Sequence, residues 1–565
     1  CSALGLRGHG IHNTAMHAPL SAPNRAPGIV LVTLNARYIH ASLGLRYLLA
    51  NMARHGGQDL RDATVLREYT LARPVQEVVA DLLELLGPAA PDVPNAVRPI
   101  VGFGVYIWNV AQSTEVVRQL KAARPDVRVV LGGPEVSHEL ETQPAIALAD
   151  HVITGWGDVS FPKLCHALVH GPRPLMKVIA GEQPALEQID LPYAEFSDTD
   201  LAHRLLYVEA SRGCPFKCEF CLSALDKTAW AFDEDRFLAE IATLYQRGAR
   251  NFKFVDRTFN LKIDASVRIL QFFLDRLAAA PDAPLFLHFE VVPDHLPDRL
   301  KASIAQFPAG VLQFEVGIQS FNVEVQQRIS RRQDNAKTEA NLRWLLDHSH
   351  AHLHTDLLFG LPGETWDSFA KGFDALYAIG PHEIQLGVLK RLRGTPLAQR
   401  SRVGEVAEYG MVYDAQPPYT VQCNDAVNAA QVEAFVRLTR YWDLLANSGR
   451  FSRTLVLLLA GNSAFGAFAA LSSWLWERHG QTQGLTPEHL VDALFDYLCA
   501  VRGLPTDTAR VALLADYVAS GARASPRSLQ GHLPPRTAPS SAGASGLTQR
   551  QQRHGVAAAD AASVG

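Results

Sequence analysis

The chain predicts an α/β protein in three parts: an N-terminal doubly wound, Rossmann-like sheet, a second series of six strand–helix units, and an α-helical C-terminal region. Three observations carry this. Short, nearly continuous apolar runs alternate with amphipathic stretches over residues 28–170, the pattern of parallel strands covered on both faces. The same alternation restarts near residue 205 and repeats six times. From about residue 400 helical periodicity replaces it.

With 565 residues, 47% hydrophobic and 19% charged, the composition suits a globular protein with sizeable cores. The 53 basic and 57 acidic residues give a formal net charge of -4, so no nucleic acid partner is expected on electrostatic grounds. Residues 1–27 have no signal-peptide apolar run and are expected to be disordered, as is the tail 520–565, which has almost no large apolar residues. Residues 454–476 are long and apolar enough to span a bilayer, but Gly461, Asn462 and Ser463 interrupt them. They read as a pair of buried helices, with no membrane insertion and a cytoplasmic location.

In the N-terminal unit (28–170), strands are expected at 29–34, 63–68, 100–106, 127–131 and 151–154, with helices such as 43–54 and 114–123 between them. In such a sheet the ligand crevice lies beyond the strand C-termini. The residues there are Asn35, Tyr38 and His40, then Trp108 and Asn109, then Gly132, Gly133 and Pro134, then Gly155, Trp156, Gly157 and Asp158. Glycine at two of these turns lets backbone approach a ligand. Residues 171–204 carry Pro172, Pro174, Pro184 and Pro192 with poor apolar order, and read as a linker.

In the second unit (205–400), strands are expected at 206–210, 251–255, 285–291, 311–316, 352–359 and 383–388, with helices such as 235–247, 266–279 and 341–348. The strand ends carry polar residues that a buried strand avoids: Asp256 and Asn260, His288 and Glu290, Glu315 and Gln319, Asp356, and Lys390 and Arg391. Singly each is an ordinary loop residue. Together they converge on one end of the sheet.

The loop after the first of these strands reads Ser211-Arg212-Gly213-Cys214-Pro215-Phe216-Lys217-Cys218-Glu219-Phe220-Cys221. Thiolates spaced C-x3-C-x2-C can hold three irons of a [4Fe-4S] cluster, and such clusters are normally held by four ligands, so one iron stays open. A structural zinc site needs four ligands, usually in two pairs. Cys165, Cys423 and Cys499 are isolated and form no second pair, although His203 lies upstream.

This triad resembles the signature of the radical S-adenosylmethionine (SAM) superfamily, whose cores are (βα)6 partial TIM barrels. The segments VGFGVYIWN, VVLGGPEVSH and HVITGWGDVSFPKL resemble the cobalamin (B12)-binding domain that precedes the core in one branch. The chain departs from the cobalt-ligating D-x-H-x-x-G motif, reading Asn35-Ala36-Arg37-Tyr38-Ile39-His40 instead. The resemblance implies that Cys214, Cys218 and Cys221 hold the cluster. It implies that Phe220, Asp256, Asn260, Glu290, Glu315 and Gln319 bind SAM, with Gly360, Pro362 and Gly363 near adenine and Arg391 near the SAM carboxylate or the substrate. It implies that Asn35, Tyr38, His40, Trp108, Asn109, Gly132, Gly133, Pro134, Gly155 and Gly157 meet cobalamin. A small-molecule substrate and a low-potential electron donor of flavodoxin or ferredoxin type follow. An apolar barrel interior is expected to protect the radical.

The helical region (401–519), with Trp442, Trp474 and Trp476 as core residues, is expected to cover the barrel mouth. The expected activity is cobalamin-dependent methyl transfer, rearrangement or a cyclisation like that of the anaerobic magnesium-protoporphyrin monomethyl ester cyclase. Two other readings stand beside it. A methylthiotransferase would carry further cysteines in the N-terminal domain, where only Cys165 lies. A non-catalytic iron–sulfur or zinc protein would not need the polar strand ends.

Overall fold

The computed structural model describes residues 28–89, 97–400, 408–534 and 553–554. Segment 1–27 and most of the tail beyond 534 lie outside the described residues.

The first sheet contains β1 (Ile29–Asn35), β2 (Thr64–Thr70), β3 (Ile100–Gly104), β4 (Arg128–Gly132), β5 (His151–Thr154) and β6 (Val178–Ala180). All pairings are parallel, in the order β2-β1-β3-β4-β5-β6. Every residue of β1 is buried, as a strand covered on both faces requires. Helices Leu43–Ala50 and Ser160–His170 pack on one face through Leu45 and Phe161. Helices Val75–Leu86 and Val110–Ala123 pack on the other through Leu82 and Val117. β6 lies in the stretch expected to be a linker. That stretch also buries Ile189, Tyr193 and Phe196 in the core of the next unit, because its apolar residues are spaced by turns rather than by a helical or strand period.

The second sheet starts with β7 (Leu206–Val208). After a short hairpin of β8 (Ser211–Arg212) and β9 (Trp230–Ala231) come β10 (Asn251–Phe254), β11 (Phe286–Val291), β12 (Leu312–Gln319), β13 (His352–Phe359) and β14 (Glu383–Val388). They form an open parallel arc, β14-β13-β12-β11-β10-β7. Phe252, Phe254, Phe289 and Phe314 point outward into the helix layer, stacking on one another and on Phe273. The opposite parity faces the lumen. Register aligns Tyr207, Lys253 and His288 in one row and Glu290, Glu315 and His354 in the next. The interior is therefore polar rather than apolar. Side chains alternate faces along a strand, and the helices claim the aromatic parity.

The helices of the C-terminal region pack on the flank of the last two strands, while the stretch before them reaches the strand C-terminal ends, where the Val421 N–H donates to the Leu389 carbonyl at 2.9 Å and Asn424 donates to the Gly360 carbonyl at 3.0 Å. Phe435 stacks on Phe359 with ring centroids 4.1 Å apart, and Trp442 donates its Nε1–H to the Ile384 carbonyl at 2.8 Å. Trp476 lies at the surface under Arg437. No single helix among the described residues is long and apolar enough to cross a membrane. Ser452–Leu459 and Ala464–His479 pass that test only together and meet at a 102° bend. The stretch 520–534, expected in a disordered tail, packs instead: Leu529 is fully buried and Ser528 bonds Asp492.

Candidate active site

The cysteine loop leaves β7 at the C-terminal end of the arc, where barrel chemistry sits. Gly213 opens it with φ +83°, and a Cβ there would stand 2.7 Å from the Ala229 nitrogen, so only glycine makes this turn. The Cys214 N–H donates to the Asp226 carbonyl (2.8 Å) and the Cys221 N–H to the Cys218 carbonyl (3.2 Å). Cys214 and Cys218 are buried, and burial pushes both thiols up, with the other cysteines of the loop adding to it. A thiolate there needs a cation, which suits a metal cluster. Among the described residues no three His, Cys, Asp or Glu side chains converge as ligands of one ion. Thiolates of a cluster each take a separate iron.

Two arginines that sequence reasoning passed over stand at this loop. Arg331 places Nη1 3.9 Å from Cys218 Sγ and also donates to the Gly317 carbonyl. Arg257 forms a double hydrogen bond with Glu290 at 2.6 and 2.7 Å and lies close enough to feel the charge of Cys221. Their signal in sequence was position alone, one just after β10 and the other in the Ser330-Arg331-Arg332 run.

The SAM candidates divide. Glu315 faces the lumen, accepting from Lys253 (3.1 Å) and His288 (3.0 Å). Burial alone would raise its carboxyl, but these two partners hold it well below the usual range. Burial pushes His288 down to about 4, so it donates as a neutral ring. Gln319 sits at the irregular end of β12 with φ +72°, and Phe220 packs with Val325, Ile329 and Leu361. Pro362 is buried, and the turn around it is filled by Val421 beside Gly360 and by Arg328 beside Gly363.

Three candidates are already committed to the fold. Asn260 accepts from the Val292 N–H (2.7 Å) and donates to the Val292 and His295 carbonyls, which holds the loop after β11. Arg391 pairs with Glu139 at 2.6 and 2.9 Å, bridging to the N-terminal domain instead of reaching into the mouth. Asp256 accepts from the Ala210 N–H (3.0 Å) and the Ser211 hydroxyl (2.5 Å), clamping the start of the cysteine loop.

Burial pushes the Asp256 carboxyl up to about 7. Between about pH 4 and pH 7 the folded chain then binds a proton that the unfolded chain has lost. Stability is expected to fall by on the order of 4 kcal/mol as pH rises through that window. The difference in urea midpoint between wild type and Asp256→Asn, measured from pH 4 to pH 8, should carry this slope. A difference that does not vary with pH refutes it.

The corrinoid candidates divide too. Gly132, Gly133, Pro134, Gly155 and Gly157 line a cavity of about 450 Å³ between the sheet and the barrel, together with Tyr106, Leu48, Phe161 and Trp156. Asp158, Glu209, Arg212 and Asp226 line it as well, and the glycine backbone with the apolar side chains suits a flat ring with an apolar appendage. Asn35, Tyr38, His40, Trp108 and Asn109 are not part of it. Asn35 holds the His40 carbonyl, and Asn109 ties the ends of β1 and β3. Tyr38 and Trp108 lie at the surface, under Arg204 and on Tyr106 respectively. The His40 Nδ1 meets the Tyr207 hydroxyl at 2.8 Å, so the ring faces the barrel strand.

The cavity and the cysteine loop share a wall. Arg212 forms a double hydrogen bond with Asp158 at 2.8 and 3.0 Å and bonds Glu209 at 3.0 Å. Its guanidinium lies over Tyr47 and Trp156 at 4.5 and 4.8 Å, and Trp156 donates to Asp226 at 3.0 Å.

Comparison with known proteins agrees with this division. The B12 binding domain model matches residues 29–165, the Radical SAM superfamily model residues 208–376, and the model of a protein of unknown function (DUF4080) residues 407–535. PH0819 of Pyrococcus horikoshii, described as an uncharacterized methyltransferase, is 29% identical over 225 residues, 35% of this chain and 47% of its own length. The cobalamin-dependent radical SAM methyltransferase TokK of Streptomyces tokunonensis is 24% identical over 376 residues, 60% of this chain and 52% of its own. The chain thus spans about half the length of these curated relatives. The structure of the cobalamin-dependent SAM radical enzyme OxsB superposes with a TM-score of 0.57 at 12% identity, covering 94% of this chain and 84% of its own. The chain thus carries a region that matches the radical SAM superfamily model, set between one that matches the B12 binding domain model and one that matches the DUF4080 model.

Proposed function

We propose that the protein is a cobalamin-dependent radical SAM methyltransferase acting on a small polar molecule. The observation that carries this reading is the shared wall: Glu209, Arg212, Gly213 and Asp226, from the strand end and loop around the three cysteines, also line the glycine-walled cavity. In this reading Cys214, Cys218 and Cys221 hold three irons, leaving the fourth for SAM. When bound, the cluster supplies one low-potential electron and the corrinoid a transferable methyl group.

The chain's own residues bind and orient. Arg331 and Arg257 offset negative charge at the thiols, and Asp256 holds the loop base. Glu315, fixed by Lys253 and His288, presents an acceptor to SAM from the lumen. Gly132, Gly133, Pro134, Gly155 and Gly157 admit the corrinoid. A flavodoxin- or ferredoxin-type donor in a reducing cytoplasm suits the free cysteines. The methylthiotransferase reading is disfavoured because Cys165 is sealed in the N-terminal core and burial pushes its thiol far up.

Anaerobic reconstitution with iron, sulfide and hydroxocobalamin, followed by reductant and SAM, tests the reading. Wild type is expected to release 5′-deoxyadenosine or S-adenosylhomocysteine. Cys218→Ala is expected to lose at least ~100-fold of that activity while keeping its corrinoid absorbance. Activity that survives the substitution, or tetrahedral zinc at the loop, rules the proposal out.

A further inference from the structure

Asp356 of β13 faces the barrel lumen with Gly317 of β12 and Gln385 of β14 beside it in register. It stands one row nearer the strand C-termini than Glu290, Glu315 and His354. Its Oδ1 is buried and has no hydrogen-bond partner among the described residues. A buried carboxyl without a partner is strongly unfavourable unless a proton or a ligand satisfies it.

The charges around it decide which ligand fits. Four carboxylates lie on the lumen parity of β11–β14: Glu290, Glu315 and Glu383 in one row and Asp356 in the next. Arg257 holds Glu290, Lys253 holds Glu315, and His352 bonds Glu383 at 3.0 Å. His288 is a neutral donor to Glu315, and His354 pairs with Glu315 in register and bears on that same carboxylate. Asp356 alone of the four has no such partner among the described residues. Burial and the Glu315 and Glu290 charges push Asp356 well above the usual range, with Lys253 opposing. The free site therefore carries a proton in place of a cation.

The geometry points to a substrate subsite at Asp356 that takes the protonated amine of a small molecule. This names the substrate class of the enzyme proposed above and rests on that reading. On binding, the ammonium N–H donates to the carboxylate and the carboxyl proton goes to solvent, so charge balances.

Calorimetric titration of n-butylamine into the reconstituted, SAM-loaded protein at pH 7, in two buffers of different ionisation heat, reads affinity and proton release together. Wild type is expected to bind the amine and release close to one proton. Asp356→Asn, with unchanged iron content and melting temperature, is expected to bind at least ~10-fold more weakly and release none. n-Butanol is expected to bind neither, a comparison that needs no variant. No amine binding, no proton release, equal binding to both proteins, or butanol binding as well as the amine overturns the subsite. The enzyme reading fails separately, by a wild type that takes up no cluster or cleaves no SAM.

Discussion

Replacing Arg212 by methionine is expected to destabilise the protein by about 3–5 kcal/mol, the range for removing one partner of a buried ion pair. The side chain is nearly covered, as are Asp158 and Glu209, so methionine leaves two carboxylates without their cation. It also removes the guanidinium stacked on Tyr47 and Trp156. Because Asp158 belongs to the N-terminal domain and Arg212 to the cysteine loop, the loss falls on the seam between them. Hydrogen exchange at residues 155–158 and 209–213 is expected to rise together, and the urea midpoint to drop. Arg212→Lys should recover only part of this, since an ammonium cannot make the two-pronged bond. Exchange and midpoints matching wild type would show that the seam is held by other contacts, such as Arg391 and Arg393 on Glu139.

Gly133→Ala is expected to destabilise by roughly 3 kcal/mol or more, whereas Gly132→Ala next to it is expected to fold normally. Gly133 has φ +112°, and its Cβ would overlap the Val105 carbonyl oxygen and stand 3.1 Å from the Val105 nitrogen. Both obstacles are backbone and cannot move aside. A Cβ on Gly132 would meet nothing closer than the Ile153 carbonyl oxygen at 3.8 Å. Gly132 lines the cavity, however, so its methyl group would project toward the corrinoid. Denaturation and hydroxocobalamin titration together separate the two effects: lost stability at Gly133, weakened corrinoid uptake at intact stability for Gly132. Equal stability of both variants would contradict the argument.

Strand positions were legible because apolar periodicity is local: β5, β13 and β14 lie where the pattern put them. The cysteine loop was legible because its three cysteines sit within eight residues. β6 was not, since three residues among prolines make no period and join the sheet only through β5. The commitments of Asp256, Asn260 and Arg391 were not legible either. Each is a polar residue at a strand end, and only its partner distinguishes a clamp from a ligand. The polar lumen was hidden for a related reason. A strand such as β11 shows Phe and His/Glu in alternation, and the pattern alone does not say which parity the helices will cover.

By itself the sequence determined the order of the elements and the three-thiol loop, since both depend on residues close together in the chain. Tertiary structure decided which charges meet, Arg212 with Asp158 and Arg391 with Glu139, and left the Asp356 Oδ1 without a hydrogen-bond partner among the described residues. Electrostatic energy inside a protein depends on distance and burial, and for groups 54 or 252 positions apart these exist only once the two domains have closed on each other.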